Sequence, residues 1–265
     1  MQIIIQKDTN EATLLVARVI AQEIRANPHC VLGLATGRTM ELLYEYLVRE
    51  HQERGLDFSL CRTFNLDEYI GLPPEDPNSY RAYMNRHLFT KVNIDIRNTH
   101  VPNGMAADLD AECARYEGLI KKHGGIDLQL LGLGRAGHVG FNEPLSALRS
   151  VTRVKALTPE TIAQNSPLFA EGTSMPRHAI TMGVGTILEC KRLLMLVTGA
   201  EKAEILHKAV EGPITAMVTA TALQLHPHCT VVVDEDAGGK LEEREYYRWI
   251  FENEPEWAEL RARND

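Results

Sequence analysis

Two rhythms of apolar and polar positions take turns along this chain. Short, nearly continuous apolar runs at residues 3–5, 30–35, 62–66, 126–133, 193–198 and 230–234 read as buried strands. Between them the apolar positions recur at helical spacing. Residues 10–25 place Leu14, Leu15, Ala17, Val19 and Ile20 on or near one face, and the stretch ELLYEYLVREHQERG continues the pattern after the second strand. Residues 79–91, 108–122, 159–165 and 201–210 also read as helices, residues 152–157 as extended, and the charged tail 240–263 as mostly helical, with Tyr246, Trp249, Ile250 and Phe251 available for packing. The third strand ends at Asp67-Glu68-Tyr69, and the Pro-rich stretch 73–78 reads as a loop over the sheet edge. Strands alternating with helices predict an α/β fold with an open, mostly parallel sheet and helices on both faces. With no internal repeat, low-complexity tract or linker, the expectation is one domain over residues 1–265.

Composition narrows the function classes. Lys and Arg total 28 against 36 Asp and Glu, a formal charge of −8, and no basic run exceeds a pair such as Lys121-Lys122. That balance argues against nucleic acid as the main partner and leaves room for a local cationic pocket holding a small anion. The five cysteines (Cys30, Cys61, Cys113, Cys190, Cys229) lack a metal-like or CxxC spacing and read as buried thiols. No apolar run reaches the ~20 residues that cross a bilayer, and MQIIIQKD reads as a strand, so a cytoplasmic protein without a membrane partner is expected.

In parallel sheets, ligands sit beyond the carboxyl ends of the strands. Three loops and one helix start leave such ends here. LATGRTM (34–40) offers the hydroxyls of Thr36 and Thr39, the backbone at Gly37 and the Arg38 guanidinium before a helix, a plausible phosphate cradle or simply a small-residue turn. In TFNLDEYIGLP (63–73), Asp67 or Glu68 either points into a cleft or caps the next helix. LLGLGRAGHVGFNEP (130–144) carries His138 and Glu143, and Lys202 follows the strand ending near Thr198. Gathered on one sheet edge, Thr36, Gly37, Thr39 and Lys202 would hold a phosphate opposite an acid–base set of Asp67, His138 and Glu143. A small phosphorylated molecule undergoing proton transfer, without a metal, suits that arrangement.

At these residues the chain resembles the glucosamine-6-phosphate deaminase (isomerase) family, from Met1 to about Asp236. The blocks that carry the resemblance are TFNLDEYIGLP followed by Asn78-Ser79-Tyr80, GHVGFNEP (137–144), TRVKAL (152–157), ITMGVGTIL (180–188) and TGAEKA (198–203). The resemblance implies a Rossmann-like fold and a cofactor-free conversion of glucosamine 6-phosphate and water to fructose 6-phosphate and ammonia. It makes Asp67 the base moving a proton between C2 and C1, His138 the group that assists ring opening, and Glu143 its support. It assigns Thr36, Gly37, Thr39 and Lys202 to the phosphate, and matches Arg153 and Lys155 to positions that in some relatives bind an allosteric N-acetylated sugar phosphate between subunits. It further implies a homo-oligomer, a hexamer or its trimers. A lactonase of the same fold would follow Gly-His with Ser-Leu-Phe-Pro, where this chain has Phe141-Asn142-Glu143-Pro144.

The family pattern fails at three places. Ala136 stands where an acid normally precedes Gly-His, Pro167 stands where an arginine normally contacts phosphate, and Arg38-Thr39-Met40 replaces a small residue followed by Thr-Pro. Either Arg38 and Arg135 supply the lost cation, or the site is weakened toward a sugar-phosphate binder with little activity.

Overall fold

A computed structural model describes residues 1–169 and 174–261. Its strands, in chain order, are β1 (Gln2–Gln6), β2 (Val31–Leu34), β3 (Arg62–Asn65), β4 (Asp67–Tyr69), β5 (Thr99–His100), β6 (Leu128–Gly132), β7 (Arg153–Ala156), β8 (His178–Thr181), β9 (Arg192–Val197) and β10 (Cys229–Asp234). Seven of them form one sheet in the order β1-β10-β9-β6-β2-β3-β5, every neighbouring pair parallel. The central strands are buried along their length, as a sheet covered on both faces requires, which is why LLMLV in β9 and TVVVD in β10 read as unbroken runs.

Helices α1 (Thr9–Ala26), α2 (Arg38–Arg54), α3 (Tyr80–Met84), α4 (Leu109–Lys122), α5 (Pro159–Asn165), α6 (Val184–Leu188), α7 (Ala203–Val210) and α8 (Arg244–Asn253) follow most of the predicted segments. Local chemistry sets their ends. Asp8, Asp108 and Thr158 cap α1, α4 and α5 by accepting from backbone N–H groups, and Pro159 occupies the first turn of α5, where its missing N–H costs nothing.

The structure corrects the sequence reading at several points. Asp67-Glu68-Tyr69 does not end the third strand. It forms β4, which leaves the main sheet and pairs antiparallel with β8, itself antiparallel to β7, in a second sheet of three strands. The segment 79–91 is not one helix: α3 gives way to a π-helical turn at Asn85–Phe89. The start of the segment 201–210 is a 3₁₀ turn, Ala200–Lys202, before α7. In the tail, α8 is followed by Pro255–Trp257 and Ala258–Arg261, while residues 262 and 263 of the predicted helical stretch lie outside the described residues.

The sheet order reverses between β2 and β6. From β2 the chain proceeds outward through β3 and β5, and from β6 through β9 and β10, so the crevice for a ligand opens above the carboxyl ends of this central pair.

Candidate active site

The four candidate segments follow four strands that are consecutive in space: Asp67 after β3, the loop 34–40 after β2, the loop 133–143 after β6 and Lys202 after β9. Sequence proximity could not reveal this order, but the fold brings all four to the expected edge.

Asp67 begins β4, only 6% exposed, and no described residue donates a hydrogen bond to its carboxylate. Burial, reinforced by the neighbouring Glu68 charge, pushes its pKa up to about 8. Gly140 makes room for it. The backbone there has φ +55°, and a Cβ would lie 3.4 Å from Asp67 Oδ2 and 2.9 Å from Thr181 Oγ1. Glu68 faces the other side of the strand and behaves differently. Its carboxylate accepts from the backbone N–H of Tyr69 (2.8 Å), Tyr80 (2.9 Å) and Arg81 (2.9 Å). Burial raises it to about 7, against the pull of those donors. Three donors favour the anion at Glu68, whereas nothing described offsets the burial of Asp67. Of the two possibilities the sequence left open for this pair, Glu68 takes the helix-capping one, at α3, and Asp67 the cleft.

His138 and Glu143 meet as expected. His138 Nδ1 and Glu143 Oε2 lie 3.0 Å apart, off the line of a straight hydrogen bond, with the glutamate side chain almost fully buried. Burial pushes the Glu143 carboxyl up, but His138, the Thr161 hydroxyl and the Thr158 N–H outweigh it and hold it at about 2, an anion at any working pH. The imidazole rests on the face of Gly134, where a Cβ would come within 2.1 Å of Nε2. That glycine is what lets the ring lie in the turn. Ala136 is half-buried beside it.

The residues expected to hold an anion are assembled from neighbouring segments. The Tyr83 hydroxyl donates to Gly37 O at 2.8 Å, tying the loop before α2 to α3. Gly37 is the N-cap residue of α2, leaving first-turn N–H groups facing outward. Lys202 Nζ donates to Leu133 O at 2.8 Å, which holds the ammonium over the end of β6. Burial lowers its pKa, the Glu201 carboxylate opposes that shift, and the nearby Arg135 charge adds to it. Arg135 is thus a second cation close to Lys202. Arg38 is exposed at the start of α2, and no described residue pairs with it. Thr39 is half-buried one position on.

One group was not legible beforehand. Tyr69, Tyr80 and Phe141 form an aromatic wall, Tyr80 stacking on Phe141 with centroids 6.0 Å apart, and Asn165 donates to the Tyr69 hydroxyl at 3.1 Å. Arg153, expected at an allosteric position, donates through Nη1 to Asn142 Oδ1 at 2.9 Å and so reaches the loop bearing His138 and Glu143. Lys155 is half-buried on the same strand β7.

A parallel sheet with proton-transfer groups and cations above its central strand ends defines an α/β enzyme for small anionic substrates. The chain belongs to the glucosamine-6-phosphate isomerases/6-phosphogluconolactonase family, whose model matches residues 6–232. It is 48% identical over 250 residues to a glucosamine-6-phosphate deaminase of Hahella chejuensis, covering 94% of this chain and 95% of the relative. It is 49% identical over 263 residues to one of Shewanella loihica, covering 99% and 98%. Among solved structures it is similar to a monomeric glucosamine-6-phosphate deaminase, with TM-score 0.88, 44% identity, and coverage of 91% of this chain and 100% of that one. A 6-phosphogluconolactonase from Trypanosoma cruzi shares the fold, with TM-score 0.72 at 19% identity and coverage of 91% and 97%.

Proposed function

We infer that this chain is a glucosamine-6-phosphate deaminase, converting glucosamine 6-phosphate and water to fructose 6-phosphate and ammonia in amino-sugar catabolism. Near full-length similarity to enzymes of that name supports the activity. The observation that carries the residue roles is a buried Asp67 carboxylate without a donor, on the same edge as the His138–Glu143 pair.

In this assignment His138 carries the C1 hydroxyl proton to the ring oxygen as the pyranose opens, with the Glu143 anion stabilising the cationic ring that forms in transit. Asp67, as carboxylate, takes the C2 proton from the open chain to give the enolamine and returns it to C1. Water then adds to the resulting C2 imine, and ammonia leaves. A substrate ammonium beside Asp67 supplies the opposite charge that lowers its pKa and readies it as a base. The α2 start (Thr36, Gly37, Arg38, Thr39) and Lys202 hold the phosphate, with Arg135 standing in for the cation lost at Pro167. The decisive experiment is release of ammonia and fructose 6-phosphate, with turnover no greater than that of Asp67→Asn counting against the roles.

Residues 1–265 are assigned to one domain, supported by an apolar core that runs from Ile3 through the sheet to Leu260. No helix among the described residues is long and apolar enough to cross a membrane, and a cytoplasmic location is proposed. A homo-oligomer is proposed from the exposed Leu145 and Met217, on segments joined by the Leu145 N–H to Ala216 O bond. The similar structure described as monomeric makes sedimentation the test. Binding of an N-acetylated sugar phosphate at Arg153 and Lys155 is proposed on the same footing, with activation by that ligand as its test.

A further inference from the structure

The His138–Glu143 pair lacks the second carboxylate that the family pattern would place at residue 136, yet Glu143 is not loosely held. Its Oε1 receives three donors: the Thr161 hydroxyl at 2.5 Å, the Thr158 hydroxyl at 3.2 Å and the Thr158 N–H at 3.3 Å. All three come from the start of α5. The Thr158 oxygen also accepts from Thr161 N at 3.2 Å, and its one proton is shared between Glu143 Oε1 and Thr161 Oγ1, each at 3.2 Å, so Thr161 is the firm hydroxyl donor. The preceding residue is gripped from the same segment, by Arg153 Nη1 on Asn142 Oδ1. Asn142 is pinned further by Nδ2 donating to Val139 O (2.9 Å) and Met182 O (2.8 Å). One short stretch, residues 153–161, thus frames both residues at the end of the catalytic loop.

The terminal torsion of a glutamate is broad and roughly two-fold, so an unrestrained carboxylate swings its oxygens across a wide arc. The donors on Oε1 hold that oxygen in place and leave Oε2 as the one facing His138 Nδ1, 3.0 Å away and off the line of a straight hydrogen bond. We propose that Thr161, backed by Thr158, is a positioning residue that aims Glu143 at His138 and so performs the orienting work that Ala136 leaves undone. The proposal rests on the assigned roles of His138 and Glu143.

The test is a double-mutant cycle between residues 161 and 136, read as kcat and KM for ammonia release. Thr161→Val should lower kcat on the order of 10- to 100-fold, the range that a small misplacement of a catalytic group costs, with KM nearly unchanged. Thr161→Ser, which keeps the donor, should retain most of the activity. Ala136→Asp alone should change little, but on the Thr161→Val background it should recover most of the lost kcat, because it gives the imidazole a second carboxylate. Binding of the reduced open-chain amino-alcohol phosphate, which has no ring to open, should be equal in all of them and so report an intact site. Thr158→Val is the second variant should Thr161→Val fold poorly, with a smaller loss in the same direction. Full kcat in both valine variants, or the same effect of Ala136→Asp in both backgrounds, overturns the proposal. His138→Asn and Glu143→Gln separate the two levels. If they lose activity while the valine variants do not, only the positioning role fails; if they keep it, the assigned roles fail and this proposal with them.

Discussion

Replacing Asp67 by asparagine removes the proposed base and, by the same physics, stabilises the fold. The aspartate is 6% exposed, without a described donor, and its pKa rises from 3.8 to about 8 through burial and the Glu68 charge. The folded pKa lies above the unfolded one, so the penalty is absent below pH 4, where both states hold the proton. It grows as pH climbs and the unfolded chain ionises while the folded chain does not, and it levels off above about 8. At about 1.4 kcal/mol for each tenfold change in proton affinity, the ceiling is about 6 kcal/mol. Water entry and relaxation around a real carboxylate reduce this, and about 1–3 kcal/mol is the expected gain on removing the charge. For a chain of this size that raises Tm by roughly 3–10 °C. Thermal melts of both proteins from pH 5.5 to 8.5 should therefore diverge with rising pH, Asp67→Asn becoming the more stable, while its deaminase activity drops by about 10²–10⁴-fold. A melting difference that stays flat with pH, or an asparagine variant that is less stable at pH 8, would refute the account of Asp67 as a strained, donor-free carboxylate.

Other substitutions probe the neighbouring parts. The base acts ionised, so kcat/KM should climb with pH through about 8; Glu68→Gln removes the like charge beside it and should move that limb about one pH unit lower, whereas a limb that stays or rises denies the coupling. Gly134→Ala puts a Cβ within 2.1 Å of the His138 ring and should cost about 100-fold in kcat, and an unchanged kcat would show that the ring does not need that place. Arg135→Ala should raise KM about tenfold, equivalent to about 1.4 kcal/mol, with kcat nearly kept; Arg38→Ala should do less, since the Lys202 environment feels Arg135. Steady-state kinetics checks both, and a larger effect at Arg38 reverses the assignment.

The parallel sheet was legible because its central strands are buried on both faces and advertise themselves as apolar runs. The second sheet was legible only in part: RVKA falls in the stretch 152–157 read as extended, but DEY and HAIT are short pieces without alternation, and nothing in the sequence showed that the three pair with one another. The break in segment 79–91 was equally hidden, since YRAYM and NRHLF continue a helical apolar pattern through the π turn. Asp67, His138, Glu143 and Lys202 were readable as residue types placed after strands. The tyrosine and threonine contacts were not, because a hydroxyl from residue 161 reaching residue 143 leaves no spacing signature in a chain.

The small cluster of Tyr69, Phe141, Leu157, Met175 and Ala179 is separate from the main core and draws Tyr69 from β4 and Ala179 from β8 of the second sheet. Two of its members, Tyr69 and Phe141, are also the aromatic wall of the site. Substitutions at Leu157, Met175 or Ala179 therefore reach the site's wall directly, without passing through the core that the large sheet shares with α1 and α2.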